Sequence, residues 1–324
     1  VAVTSSDWGV PERVNISNDG WEEGIYVNSE HTELYWIYTN YDIFSLLYHS
    51  LARAAGPLLD TLESCFYLNS NFRQNCGEYP RADHFYATRA GGAWIGTAPA
   101  PLQLEAPWPI GGLHKIKSGG RTISYFMSGT DDGIDNLGYA IVNSNGSIHT
   151  SPRLLPSSMS EDGYQDADPW VSDDNKLMFF WSNRPYANST DYKQKNIWYS
   201  TNPDGWSDPA NWSAPQIIDS QKINSEKDDM QAFYHDGYLY FSSGRDPVFG
   251  IIAIYRSSLT LSPSADLSDL SDSAFGTPEL VIYSDFAVGE QTITGDGEYL
   301  YFEQIFWDGD TGYNADIMYV EKVN

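Results

Sequence analysis

The feature that most constrains this 324-residue chain is an internal repeat. Asp166 to Arg184 reads DADPWVSDDNKLMFFWSNR, Ile223 to Arg245 reads INSEKDDMQAFYHDGYLYFSSGR, and Gly289 to Gln304 reads GEQTITGDGEYLYFEQ. Each copy is a polar lead, a short apolar strand, a tight polar turn and an aromatic strand with period-two alternation, the pattern of a β-ribbon. Phe180, Phe241 and Phe302 recur at intervals of 61 residues. Self-similarity at such a period marks an array of like units, because one ribbon cannot bury its apolar face except against another copy.

Two further stretches follow the same plan: EEGIYVNSEHTELYWIYTN from Glu22 and GGLHKIKSGGRTISYFMSG from Gly111. A third strand comes after each copy, as IFSLLYHS, LGYAIVNS, NIWYSTN, IIAIYRSSL and ADIMYVEKV. A fourth is marked by a proline ahead of an apolar pair, at Pro11, Pro101, Pro152, Pro215 and Pro278. Proline cannot donate to a ladder, so these strands belong on sheet edges. The last copy has no such element after it, and one stands before the first copy. The expected fold is therefore all-β: a five-bladed β-propeller, closed by the N-terminal strand in the last blade. Residues 1–324 form a single domain in this reading, with blades at about 21–104, to 155, to 218, to 281, and then to the end with residues 8–16. An insertion at about 49–98 in the first blade is expected to lie over one face of the ring or to decorate its edge.

Composition narrows the function classes. The net charge of −26 disfavours nucleic acid, an anionic bilayer and strongly anionic polymers as partners. No apolar run is long enough to span a membrane, so no membrane insertion is expected. The opening VAVTSSDWGV has no basic stretch followed by an apolar one, and the numbering is expected to begin at a mature terminus. Cys65 and Cys76 suit a local disulfide pinning a loop, hence an oxidising, secreted or periplasmic setting. Two buried free thiols are the alternative.

In a propeller, side chains near the start of every innermost strand converge on the central channel. Counting back nine to eleven positions from Leu34, Ile123, Leu177, Leu239 and Leu300 gives Glu23, His114, Asp168, Asp229 and Glu290. A one-residue slip would substitute Glu22, Asp166, Asp228 or Gln291. Glycoside hydrolysis needs one protonated and one ionised carboxyl across the scissile bond. Crowding carboxyls raises the pKa of at least one and so provides the acid. This chemistry requires no cofactor, although the same oxygens would suit Ca²⁺, as would the acidic hairpin loops at 130–136 and 308–316. The plain structural alternative is that these acids cap strand starts. Trp21, Trp108 and Trp170 are the candidate platforms for sugar rings, against a core role for most of the aromatics. Arg184 and Arg245 are expected to pair with carboxylates between blades or to hold a substrate carboxylate. No serine elbow, phosphate-cradling loop, zinc cluster or dinucleotide fingerprint is present.

SDDNKLMFFWSNR and INSEKDDMQAFYHDGYLYFSSGR resemble the TolB-type, WD40-like β-propeller repeat. That resemblance implies a fold and leaves function open. Asp, Asp and Glu on three successive blades, with Ala167-Asp168-Pro169, are similar to the five-bladed glycosidases of the arabinanase–xylosidase and invertase clans. This likeness implies Asp168 as base, Asp229 as the residue that tunes and orients, and Glu290 as acid. In that group the three acids lie in the first three blades; here they lie in the last three. The expected function is a secreted glycoside hydrolase acting on a carbohydrate at the channel mouth, with Glu23, His114, Trp21, Trp108, Trp170, Arg184 and Arg245 binding substrate. The alternatives are a non-catalytic propeller that binds a glycan or a protein partner, and a polysaccharide lyase using His114 with a tyrosine.

Overall fold

The computed structural model describes residues 1–17, 20–39, 83–99, 110–129, 135–159, 163–185, 194–259, 270–307 and 313–323. Two short strands open the chain, β1 (Ala2–Val3) and β2 (Glu12–Arg13). Each repeat then builds an antiparallel module whose strands pair in chain order. The first holds β3 (Trp21–Val27), β4 (Glu33–Thr39), β5 (Asp83–Ala90) and β6 (Ala93–Pro99). The second holds β7 (Ile110–Ser118), β8 (Arg121–Gly129), β9 (Asp135–Asn143) and β10 (Ile148–Leu154). The third is β11 (Asp166–Val171), β12 (Leu177–Ser182), β13 (Asn196–Thr201) and β14 (Gln216–Ile217). The fourth is β15 (Asp229–His235), β16 (Tyr238–Ser243), β17 (Ala253–Ser258) and β18 (Glu279–Tyr283). The last is β19 (Ala287–Ile293), β20 (Tyr299–Trp307) and β21 (Tyr313–Glu321).

The turns between the first two strands come in two lengths. Gly119-Gly120 and Asp236-Gly237 close two-residue hairpins with both φ angles positive, the geometry that matches strand twist. Modules one, three and five use longer turns, in which His31, Asn175 and Gly297 take the left-handed conformation. On the second strand one station is apolar throughout: Trp36, Phe126, Phe180, Phe241 and Phe302 are all essentially buried. Each ring stands in a cluster shared by two neighbouring sheets. Phe180 packs with Ile116, Ile123 and Tyr125 of module two, and Phe241 with Leu177 and Phe179 of module three. Phe302 joins Ile254 of module four, and Trp36 joins Tyr301 and Ile317 of module five. Burial of one such ring contributes about 1.5–3 kcal/mol. The first strands of the five modules lie side by side, β3 with β7, β7 with β11, β11 with β15, β15 with β19, and β19 with β3.

The N-terminal segment is used twice. β2, just after Pro11, pairs with β21 through Glu12–Tyr319 and Arg13–Met318, while β1 adds an edge to the fourth module beside β18. β21 also meets β3 in a parallel bridge, Ala315 to Trp21, so the last and first modules share one sheet. Residues 83–98, expected within an insertion, supply the third and fourth strands of module one. Phe85 stacks on Trp36, and Ala87 and Trp94 join the same core, which gives that stretch its period-two pattern. IFSLLYHS, Pro101, Trp108, Cys65 and Cys76 lie outside the described residues, as do parts of the two acidic loops. Among the described residues no helix is long and apolar enough to cross a membrane.

Candidate active site

The first strand of every module carries a bulge at one station, where its register against the second strand shifts by a residue. The residue in the bulge is left-handed each time: Gly24 (φ 63), Gly112 (φ 52), Asp168 (φ 51), Gln231 (φ 56) and Glu290 (φ 56). Glycine takes this conformation freely, whereas Asp, Gln and Glu pay about 1–3 kcal/mol for it. A bulge re-aims the side chain it carries. Here the bulges feed one cleft, lined by Gly24-Ile25-Tyr26, Gly112-Leu113-His114, Asp168-Pro169-Trp170, Gln231-Ala232-Phe233 and Glu290-Gln291-Thr292. Its volume is about 380 Å³ including the open mouth, of which about 40 Å³ admits the centre of a water molecule.

Contacts run from each bulge to its neighbour. A Cβ on Gly112 would lie 2.5 Å from Asp168 Oδ1, and one on Gly24 would lie 3.5 Å from the Gly112 nitrogen. Gln231 Nε2 donates to Glu290 Oε1 at 3.1 Å, and the Glu290 amide donates to Gln231 Oε1 at 2.9 Å. Glu290 Oε2 accepts from the Ile25 amide at 3.1 Å and from the Gly24 amide.

The carboxyls differ in what surrounds them. Burial raises the pKa of Asp168, but its charge is favoured by the Trp181 indole N–H at 2.6 Å, by Lys195 and by the Gln231 amide. Lys195 Nζ stands 4.7 Å from the centre of the Trp181 ring, bracing that donor. Glu290 is held well above the usual carboxylate range by burial, then by the charges of Asp168 and Glu23. Glu303, 5% exposed, sits across the ladder from Gly289 and has no partner for Oε1. Burial raises it well above its ordinary value, and Glu290, Glu23 and Asp168 push in the same direction. Carboxyls this close cannot all ionise. All three are raised by burial, Glu290 and Glu303 further through the neighbouring carboxyls, while at Asp168 the Trp181 N–H and Lys195 offset part of the rise.

Beneath this level Tyr26, His114, Trp170 and Phe233 form an aromatic floor. His114 lies 5.3 Å from Tyr26, 5.9 Å from Trp170 and 6.0 Å from Phe233, ring centre to ring centre. Burial lowers its pKa to about 4, so its Nε2–H donates to the Val171 carbonyl at 3.0 Å and the ring is neutral near pH 7.

The placement of the sequence candidates follows from the bulge. Asp168 and Glu290 occupy it, whereas Asp229 stands two residues before it in the fourth module, where Gln231 takes the cleft position. Asp229 is fully buried and bonded to Arg245 Nη2 (3.1 Å), the Ser225 amide (2.6 Å) and Ser225 Oγ (2.8 Å). Its counterpart is Asp166, ion-paired with Arg184 at 2.7 Å. Both arginines thus pair within their own module rather than between modules. Glu23 precedes Gly24 and accepts from the Trp21 indole at 2.9 Å. His114 belongs to the floor, two residues past the bulge glycine. Trp21 is 2% exposed and Trp170 8%, stacked on Phe179, so Trp21 is core and Trp170 meets the cleft from below. Gln231 and Glu303 were not singled out from the sequence. Glu303 had a signal: it stands where Trp181 and Ser242 stand in modules three and four, an acid in an otherwise aromatic strand. Among the described residues no three His, Cys, Asp or Glu side chains are placed to hold a metal ion together.

No family model matches the chain, and no curated protein matches it significantly. Solved structures do. A glycoside hydrolase superposes with a TM-score of 0.52 at 12% identity, over 98% of this chain and 91% of its own. The RS223 beta-xylosidase gives 0.51 at 11% identity, over 96% and 94%. The GH43_1 enzyme from Xanthomonas citri, solved with xylotriose, gives 0.50 at 12% identity, over 94% and 88%. The likeness is one of fold. These proteins and this chain share an all-β architecture of several antiparallel sheets, consistent with a propeller-like fold.

Proposed function

We propose that the modules are the five blades of one closed propeller, with β2 completing the last, and that the chain is a secreted glycoside hydrolase. The reading rests chiefly on one observation: Asp168 and Glu290, from different modules, reach one cleft, where burial raises both and the charges of Asp168 and Glu23 raise Glu290 further. Glu290 is suited to protonate the glycosidic oxygen as the C1–O bond breaks. Asp168 is suited to take the proton of the water that forms the new bond to C1. Gln231, bonded to Glu290, stands in the orienting place that the sequence assigns to Asp229. The net charge of −26 favours a neutral glycan, and the fold shared with a beta-xylosidase agrees. Ca²⁺ plays no part in this reading.

A glycan-binding propeller without turnover is the second reading. It is favoured by the three N–H donors already occupying Glu290 and by the small free volume of the cleft. A lyase would need His114 as base, and that ring is buried beneath the carboxylates with its N–H bound to a carbonyl. The deciding experiment is incubation with neutral polysaccharides and mass analysis of the products. Water-added oligosaccharides are expected from the wild type, with Asp168→Asn and Glu290→Gln each about 10²-fold slower or worse. Bound glycan without products favours the second reading, and hydrolysis at full rate in both variants refutes the assignment.

A further inference from the structure

Every described tryptophan except one is buried or half-buried; Trp307 is 59% exposed. It ends β20, four residues past Glu303, and alternation puts Glu303, Ile305 and Trp307 on one face of that strand. Four residues of strand rise place it about 13 Å from the level of the cleft carboxylates. It pairs across the ladder with Tyr313, whose ring meets it edge-on at 5.0 Å. Tyr313 in turn stacks on Phe286 at 4.4 Å and 23°. Phe286 adjoins Ala287, the first residue of the strand that carries Glu290. The three rings form a braced corner at the end of the sheet where the first strands of the modules begin, and the indole is the member left open to solvent. Flat π surfaces accept the C–H faces of sugar rings, and a chain of net charge −26 selects a neutral one.

We infer that Trp307, held by Tyr313 and Phe286, is a separate stacking subsite for a neutral glycan chain whose other end lies at the cleft. This rests on the reading of the cleft as a glycan site. It predicts that long substrates use Trp307 and short ones do not.

The test is affinity electrophoresis of the full chain in gels containing soluble arabinan, arabinoxylan or mixed-linkage β-glucan, with turnover of a disaccharide-sized substrate measured alongside. At least one polysaccharide is expected to retard the wild type. Trp307→Ala should weaken that retardation tenfold or more, Trp307→Phe should restore most of it, and short-substrate turnover should stay unchanged. Glu290→Gln separates the two proposals, since it should slow turnover about 10²-fold or more and keep Trp307-dependent retardation. Trp307-dependent retardation without any turnover upholds the subsite while the hydrolase reading fails. No retardation of the wild type, or equal retardation of Trp307→Ala, overturns the subsite whatever the turnover.

Discussion

Replacing Arg245 by methionine separates a scaffold role for Asp229 from a catalytic one. Asp229 is wholly buried, and the Arg245 side chain is 15% exposed. Removing the cation strands a buried carboxylate, which costs about 3–5 kcal/mol. The guanidinium also donates to the Lys222 carbonyl at 2.8 Å and the Ile223 carbonyl at 2.9 Å, and it lies 4.8 Å from the Phe241 ring and 5.1 Å from Tyr255. Some of that packing survives with methionine, so about 4 kcal/mol is expected in all. Asp229→Asn keeps the Ser225 donors and leaves a partly wet arginine, for about 1–3 kcal/mol. The double variant should cost less than the sum, with a coupling above about 1 kcal/mol. Urea unfolding followed by tryptophan fluorescence reads all four proteins. Burial already raises the pKa of Asp229 against the pull of Arg245. Without Arg245 it rises further, so the deficit should shrink as pH falls and the carboxylate takes a proton. A cost below about 1 kcal/mol for Arg245→Met refutes the reasoning. So does an Asp229→Asn variant of full stability whose turnover is abolished, which would return Asp229 to the chemistry.

Glu303→Gln tests the unpartnered acid. Its folded pKa lies above the unfolded one, so its contribution is full below the unfolded value and lost as pH rises through the folded value. Wild-type stability should therefore fall as pH rises above the ordinary glutamate value of 4.5, and the variant should show a shallower fall; identical slopes refute the assignment. Gly112→Ala puts a Cβ 2.5 Å from Asp168 Oδ1 at a φ of +52°, so it should cost about 2 kcal/mol or more and displace the proposed base. Turnover should fall further than stability accounts for, and unchanged turnover would mean that Asp168 need not stay where it is. Deleting residues 1–13 removes buried Trp8, β2 and the 2.8 Å Arg13–Asp316 pair, which should cost at least about 3 kcal/mol by calorimetry. A transition unchanged in temperature would show that the segment does not secure the last module.

What the sequence made legible follows from which physics is periodic. Phe180, Phe241 and Phe302 announce themselves because a ring buried between two sheets tolerates little variation, and the same station holds Trp36 and Phe126. The edge positions of Pro11, Pro152 and Pro215 are legible for a similar reason, since a missing N–H leaves little choice. The cleft is set instead by a backbone event. The bulge residue lies twelve positions before the buried ring in modules one, three and five, fourteen before it in module two and ten in module four. Those offsets track the strand and turn lengths, which vary where Gly119-Gly120 and Asp236-Gly237 close short hairpins. Counting back nine to eleven positions from the second strand therefore finds Asp168 and Glu290 but lands on Glu23, one residue before Gly24, on Asp229, two before Gln231, and on His114, two past Gly112. Asp166 and Asp229 look like Asp168 on paper and differ from it because they precede the bulge, which sends them to Arg184 and Arg245 and sends Asp168 to the cleft. A left-handed Asp, Gln or Glu is disfavoured locally at each of these positions, and the surrounding sheets hold it there. Local preference and global fold disagree at the same station in three modules, and such disagreement gathers where a protein does its chemistry.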